Sequence, residues 1–430
     1  MGKTLALIIG LPVIAIGAAA GYVTYQNVER YDALSQQSLQ QLNQALMPQG
    51  ISVRLEEVER GFLGANREEL YHFRLLGEEP TDLFSIRQHV SIEPYRASGT
   101  FVVDSQLGLA GMLLQQLPEL AAGQQGEWWL KGNEERIYAR YQTGAVNMPL
   151  PDGSTLSVAP LILQTETATD AAAKGKATLS MASASLTGSA QGDARLNRFE
   201  LDIASHLRNG SPFIDKASYR IGDLSVSSPQ LKVKLQGLVS EQAALVDRGV
   251  LASLTTLKVS NLRVSSADKD LSVDSSRLSL YLDGINWQAY QQLLVNAQNS
   301  TDEAAATSEL LQGAGNVLAS GASVTLETLE TAFIFNDLSP DGMGASGDIK
   351  LHGKVIMAAG DAASLQQDFR TRLNGELQVN LSRSLMQSPL AEHFVSLLDA
   401  GMLEDQDGRL ISRLILDQGR LSANGISVGF

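Results

Sequence analysis

From Ile51 onward apolar residues return at every second position, and that period decides most of what this chain can fold into. Ile51, Val53 and Leu55 alternate with Ser52, Arg54 and Glu56, the pattern of a strand with one face against a core and the other in water. A turn at Arg60-Gly61-Phe62 leads to a second such run from Leu70 to Leu76. The alternation recurs over 177–190, 198–204, 217–226, 230–238, 324–336, 347–357 and 373–381. Leu254–Ser265 and Leu271–Leu282 flank Ala267-Asp268-Lys269-Asp270 as a hairpin. Short strands over 411–416, 419–423 and 426–430 end the chain, the last two joined by Asn424-Gly425. Asn-Gly supplies the two positive φ angles of a type I′ turn. Many alternating strands broken by Gly, Asn, Asp and Ser predict mostly antiparallel sheet with one wet face.

Helical spacing is confined to a few places. Tyr31, Leu34, Leu42 and Leu46 predict a helix over 27–47 that stops at Pro48 and Gly50. Further helices are expected over 106–120, from Asn286 with Trp287 and Tyr290 on one face, over 302–319, and over 384–403. The Ala-, Thr- and Lys-rich stretch Thr165–Ala177 reads as a linker or exposed loop.

Ahead of the strands lies a strongly apolar run from Leu5 to Val23, carried by Leu5, Ile9, Val13, Ile16 and Val23. About 20 helical residues cross a hydrocarbon layer of about 30 Å. Lys3 flanks one end, while Glu29, Arg30 and Asp32 on the other sum to negative, so the short end is expected in the cytoplasm and the bulk outside. The competing expectation is a cleaved signal peptide, cut after Ala20 in Ala18-Ala19-Ala20. Gly17 and Gly21 share one helical face and would let a second helix approach, an expectation of homo-oligomer formation. The fold expected is mostly β with minor α: a transmembrane helix (1–28), an α+β region (29–164) and a β-rich region (165–430) with helices near 286–319 and 384–403. The ectodomain is expected as an elongated antiparallel sheet.

Composition narrows the chemistry. Asp and Glu number 47 against 33 Lys and Arg, a net charge of -14 that argues against nucleic acid as a partner. With no cysteine there is no disulfide framework, thiolate metal site or Cys nucleophile. The five histidines, His72, His89, His206, His352 and His393, have no metal-ligand spacing. Gly342-Met343-Gly344-Ala345-Ser346-Gly347 matches a dinucleotide motif by letter but reads as a turn, because a strand and not a helix follows. Ser266-Ala267-Asp268-Lys269 falls at a hairpin tip, unlike the buried S-x-x-K of acylating enzymes. Nothing assembles a nucleophile, base and oxyanion donor, so no enzyme and no cofactor is expected. Trp128-Trp129, followed by Tyr138 and Tyr141, reads either as a packed strand or as an exposed lip.

Four features together resemble the YdgA/YihF-like family of bacterial envelope proteins. They are the apolar N-terminal run with its glutamine-rich continuation; Val58-Glu59-Arg60-Gly61-Phe62-Leu63-Gly64-Ala65 after a strand; Leu282-Asp283-Gly284-Ile285-Asn286-Trp287; and the closing Gly419–Gly425 hairpin with Asn424 and Gly425. Departures are Val58 where that family has an aromatic, and Ile92-Glu93-Pro94-Tyr95 where it carries a His-Gly-Pro-type turn. The resemblance implies a single-pass protein of the bacterial inner membrane with its bulk in the periplasm. It implies no catalytic residues. Two functions fit such a chain: binding or passing a lipid-like molecule in a β-sheet groove, or acting as a membrane-tethered scaffold that homo-oligomerises.

Overall fold

The computed structural model describes residues 31–32, 35–36, 39–40, 42–43, 46–47, 50–60, 66–76, 81–93, 96–104, 115, 118–131, 136–168, 174–208, 211–299, 313–337, 344–388 and 391–428. The apolar run with Leu5, Ile9, Val13, Ile16, Val23, Gly17 and Gly21 lies outside them, as do Gly61 and Phe62. Among the described residues no helix is long and apolar enough to cross a membrane.

The chain is mostly strand, as the alternation requires. In order these are β1 (Ile51–Arg60), β2 (Asn66–Leu75), β3 (Thr81–Glu93), β4 (Arg96–Asp104), β5 (Gln125–Lys131), β6 (Arg136–Gln142), β7 (Val146–Pro149), β8 (Thr155–Val158), β9 (Leu161–Ala168), β10 (Gly175–Thr187), β11 (Asp193–Arg208) and β12 (Ser211–Ser227). The longer strands follow: β13 (Lys232–Asp247), β14 (Val250–Ser265), β15 (Lys269–Asn286), β16 (Ala322–Asp337), β17 (Gly344–Met357) and β18 (Leu373–Ser382). Then come β19 (Glu404–Gln406), β20 (Arg409–Asp417), β21 (Arg420–Ala423) and β22 (Ile426–Val428). The chain divides into two compact units, one running to Ser185 and taking in Phe199–Ala217, the other formed by Leu186–Arg198 and Ser218–Phe430.

In the first unit β1 to β6 form an antiparallel meander, β9 pairs with β6 and β10 with β9, and β7–β8 is a small hairpin between. Paired residues of antiparallel strands share a face. The rows Val53–Phe73–Phe84 and Leu55–Tyr71–Ile86–Val103 therefore lie on one side. That side is a closed core. Helical residues Tyr31, Leu42 and Leu46 pack on it, and Val53, Phe73, Phe84, Ile86, Phe101, Trp128, Leu130 and Ile137 are buried with them. Phe73 and Phe84 stack with ring centroids 4.4 Å apart.

A buried polar seam joins helix and sheet. Glu69 Oε2 accepts hydrogen bonds from Tyr31 Oη (3.2 Å), Tyr71 Oη (3.0 Å) and Gln88 Nε2 (2.7 Å). Burial pushes the Glu69 carboxyl above its ordinary range, against the pull of these donors and of Arg67. The Arg67 side chain, 2% exposed, pairs with Asp32 and lies 4.7 Å over the Tyr31 ring. Asp32 also accepts from Arg60 Nη2 at 2.8 Å, which gives the family-like Arg60 a role in fastening β1 to the helix.

Two sequence expectations need correction. Thr165–Ala177 is not a loop throughout: Thr165 pairs with Ala177 and Thr167 with Gly175 across β9 and β10. Threonine's branched Cβ suits a strand even where hydrophobicity is low. Gly344–Gly347 open β17 and are not a turn. Of the helix expected over 106–120, the described residues show Gln115 and Pro118–Ala122 helical.

The second unit holds the closing hairpin as expected. Asn424 and Gly425 have φ of 49° and 84°, and Ala423 pairs with Ile426. Asn424 also fastens the turn to the sheet, its Oδ1 accepting from the Arg413 amide at 2.8 Å. Trp287 opens helix α1 (Trp287–Asn299), where Asn286 Oδ1 accepts from the Ala289 amide at 3.0 Å as an N-cap. Just before it Gly284, with φ of 90°, absorbs a register shift between β14 and β15. Of 302–319, residues 313–318 are helical, and 384–403 forms the 3₁₀ turn Arg383–Gln387 and helix α2 (Ala391–Asp399).

Candidate functional site

In the second unit β13, β14, β15, β16, β17, β18 and β20 pair in sequence order, all antiparallel. The faces can be read off the pairing. Leu257, Leu278, Leu329, Leu351 and Val379 form one row across five strands. The next row is Leu280, Leu326, Gly353, Leu377 and Leu414, and the next Leu282, Val324, Val355, Gly375 and Leu416. Toward the other end run Leu262–Val273–Phe333 and Val264–Leu271–Phe335. The uninterrupted β17 ladder puts Ile349, Leu351, Gly353 and Val355 on one side, and that of β16 with β17 adds Leu329, Thr331, Phe333 and Phe335, so all these rows share one face.

The phase of the alternation changes inside β15, from Leu271 and Val273 to Leu278, Leu280 and Leu282. A register shift at Val273/Ser275 takes up the extra residue, and a second at Ser279/Leu280 does the same for β16. These bulges keep the apolar set on one side over strands of up to 18 residues.

The exposure of this face sets it apart from the core of the first unit. At one end Leu385, Met386, Phe394 and Leu398, from the 3₁₀ turn and α2, pack on Leu381 and Leu410 beside Phe333 and Ile349. At the other end Leu251, Ile285 and Met357 are buried. Between them Leu257, Leu278, Leu280, Leu326, Leu329, Leu351 and Leu377 are all only half-buried, and Val324 and Val355 are 45% and 40% exposed. A continuous apolar stretch left partly open in this way marks a candidate interaction surface.

The opposite face is wet and charged. Lys258, Arg277, Glu330 and Lys350 form a row there, and Lys350, His352 and Lys354 of β17 are exposed. Ion pairs knit it. Arg409 Nη2 lies 3.0 Å from Asp348 Oδ2, and Ser382 Oγ donates to Asp348 Oδ1 at 2.7 Å. The Arg409 guanidinium, helped by Ser382, holds the Asp348 carboxyl down at about 2. Since the folded value lies below the unfolded one, the pair stabilises above the ordinary carboxylate range and is lost as pH falls toward about 2. Thermal melts between about pH 5 and about pH 2 are expected to show a falling midpoint, with a smaller fall in Asp348→Asn. An equal fall in that variant would remove Asp348 from the account.

Of the residues singled out in the sequence, Trp287, Asn424 and Gly425 belong to the second unit, and Arg60 to the first. None of these lines the apolar rows. Trp128 and Trp129 part company: Trp128 is buried over Gly99, where an added Cβ would lie 2.3 Å from its Nε1, and Trp129 turns to the other side. The rows themselves were legible as separate strands; that they merge into one half-open face was not. Among the described residues no group of three His, Asp or Glu could hold a metal ion. Comparison with family models, curated proteins and solved structures gives no match for this chain.

Proposed function

We propose that this chain is a binding protein and not an enzyme, and that the half-open face of β13–β20 takes the acyl chains of a lipid-like molecule. The observation that carries the reading is the contrast between the units: in the first a helix closes the apolar side of the strands, and in the second rows of Leu and Val stay partly exposed. Each buried CH₂ gains about 0.8 kcal/mol, so an acyl chain lying on these rows is strongly favoured over water. The two central rows are mostly carbon side chains, Leu257–Leu278–Leu329–Leu351–Val379 and Leu280–Leu326–Gly353–Leu377–Leu414, with Ser240, Thr255 and Ser412 at their ends. A protein partner is ordinarily specified by about one hydrogen bond per 100–200 Å² of interface, and the middle of these rows offers few such groups. Acyl chains need none.

The apolar Leu5–Val23 run and the resemblance to the YdgA/YihF-like envelope family support a setting for this activity. In it the chain is tethered in a bacterial inner membrane with the sheets in the periplasm, and Gly17 and Gly21 are available for helix–helix association. Protease shaving of spheroplasts is expected to digest the bulk of the chain; protection of the bulk would reverse that topology.

The direct test is extraction and mass spectrometry of full-length protein purified in mild detergent. Stoichiometric acyl chains are expected. A lipid-free protein that takes no phospholipid from vesicles would end the reading, and a lipid-free dimer would assign the face to a second copy and the chain to the scaffold function.

A further inference from the structure

The wet face of the first unit's sheet contains a trough of about 480 Å³, inside the range of about 300–1,000 Å³ typical of small-molecule sites. It lies far in character from the apolar rows. Ser91, Ser98 and Trp129 form one paired row across β3, β4 and β5, and Glu68, His89, Thr100 and Glu127 another across β2 to β5; all of them line the trough. Small hydroxyl side chains thus lie along its middle and larger groups at its sides.

Trp129 is held as a wall. Its neighbour on one side is Tyr138 of β6, and the two rings stack with centroids 5.7 Å apart and planes 14° from parallel. Its neighbour on the other side is Ser98, a small residue, and Trp129 lines the trough beside it. An aromatic face carries negative quadrupole charge and attracts the weakly positive C–H groups of a flat ring laid against it. The polar lining carries both signs: Glu59, Glu68 and Glu127 line the same space as Arg96 and His89, and Glu68 also pairs with Arg87. Carboxylates accept hydrogen bonds from hydroxyls and a guanidinium donates to them, so a hydroxyl-rich ligand suits both. Ser, Thr and Asn66 hydroxyl and amide groups add both donors and acceptors.

A ligand that offers a C–H face to an indole and hydroxyls to carboxylates is a sugar ring. We propose that this trough binds a neutral glycan, with one pyranose stacked on Trp129 and its hydroxyls donating to Glu127 and the neighbouring side chains. The site is separate from the lipid-binding face in residues and chemistry, so either can fail alone.

The test uses the full chain in a detergent without a sugar headgroup, titrated calorimetrically with a β-1,4-linked N-acetylglucosamine tetramer and with cellotetraose. Saturable binding of at least one is expected, with quenching of tryptophan fluorescence. Trp129→Ala should weaken it about tenfold or more. Thr100→Arg, at an exposed strand position, should block it by filling the trough while leaving circular dichroism unchanged, which guards against a misfolded Trp129 variant. No saturable binding of either oligomer up to about 10 mM would overturn the proposal, as would binding untouched by Thr100→Arg.

Discussion

If the second unit binds acyl chains as proposed, Val355→Glu is expected to strip most of that load, while Ile356→Glu leaves it intact. The two positions are adjacent on β17 and about equally open, 40% and 44% exposed, so either charge can be hydrated in the unloaded protein and neither should unfold it. They differ in the face they occupy. Val355 pairs with Val324 and Gly375 in the apolar rows, whereas Ile356 pairs with Ser323 and Asn374 on the wet side. A carboxylate under an acyl chain must either desolvate or lift several CH₂ groups back into water, each worth about 0.8 kcal/mol. Two such groups already amount to about tenfold in binding, so a loss of about tenfold or more is expected at Val355. The measurement is acyl chain per protein by mass spectrometry, with thermal melts as the folding control. Equal loads in both variants would mean that the lipid does not lie on these rows.

The second large effect separates a true core from an open face. Phe73→Ala is expected to destabilise the first unit by about 3–5 kcal/mol, because a fully buried ring stacked on Phe84 leaves a cavity that the flanking strands cannot close. Leu351→Ala, at an equally apolar row of the second unit, is expected to cost less, since a side chain that stays partly exposed leaves a site open to water and not a closed cavity. Denaturant unfolding of both variants in lipid-free protein checks the pair. A Leu351→Ala cost as large as that of Phe73→Ala would show a closed core in the second unit and remove the contrast on which the lipid reading rests.

The physical split between what was legible and what was not follows particular residues. Asn424-Gly425 needed no context: the φ angles a two-residue hairpin demands are local, and so is the preference of Asn and Gly for them. The same holds for the Ser266–Lys269 hairpin tip, where the Ser266 amide donates to Lys269 O at 2.7 Å. Trp128-Trp129 shows the limit. Adjacent strand residues must face opposite ways, but only the register against Gly99 decides which indole is buried and which lines the trough. Arg67 and Glu69 show it again: two charges in a strand read as a wet face until Tyr31, Asp32 and Gln88 converge on them from other elements.

The sequence by itself determined that the chain is strand-rich, that its strands are antiparallel and two-faced, and where its tightest turns fall, because periodicity and turn chemistry act over a few residues. Which apolar face is closed and which stays open was decided only by tertiary structure. The helical residues Tyr31, Leu42 and Leu46 cover the first unit's strands, while bulges near Val273 and Leu326 keep the second unit's Leu rows together with cover only toward their ends. Alternation tells each strand that it has an apolar side. It carries no information about what, at a distance along the chain, will pack against it.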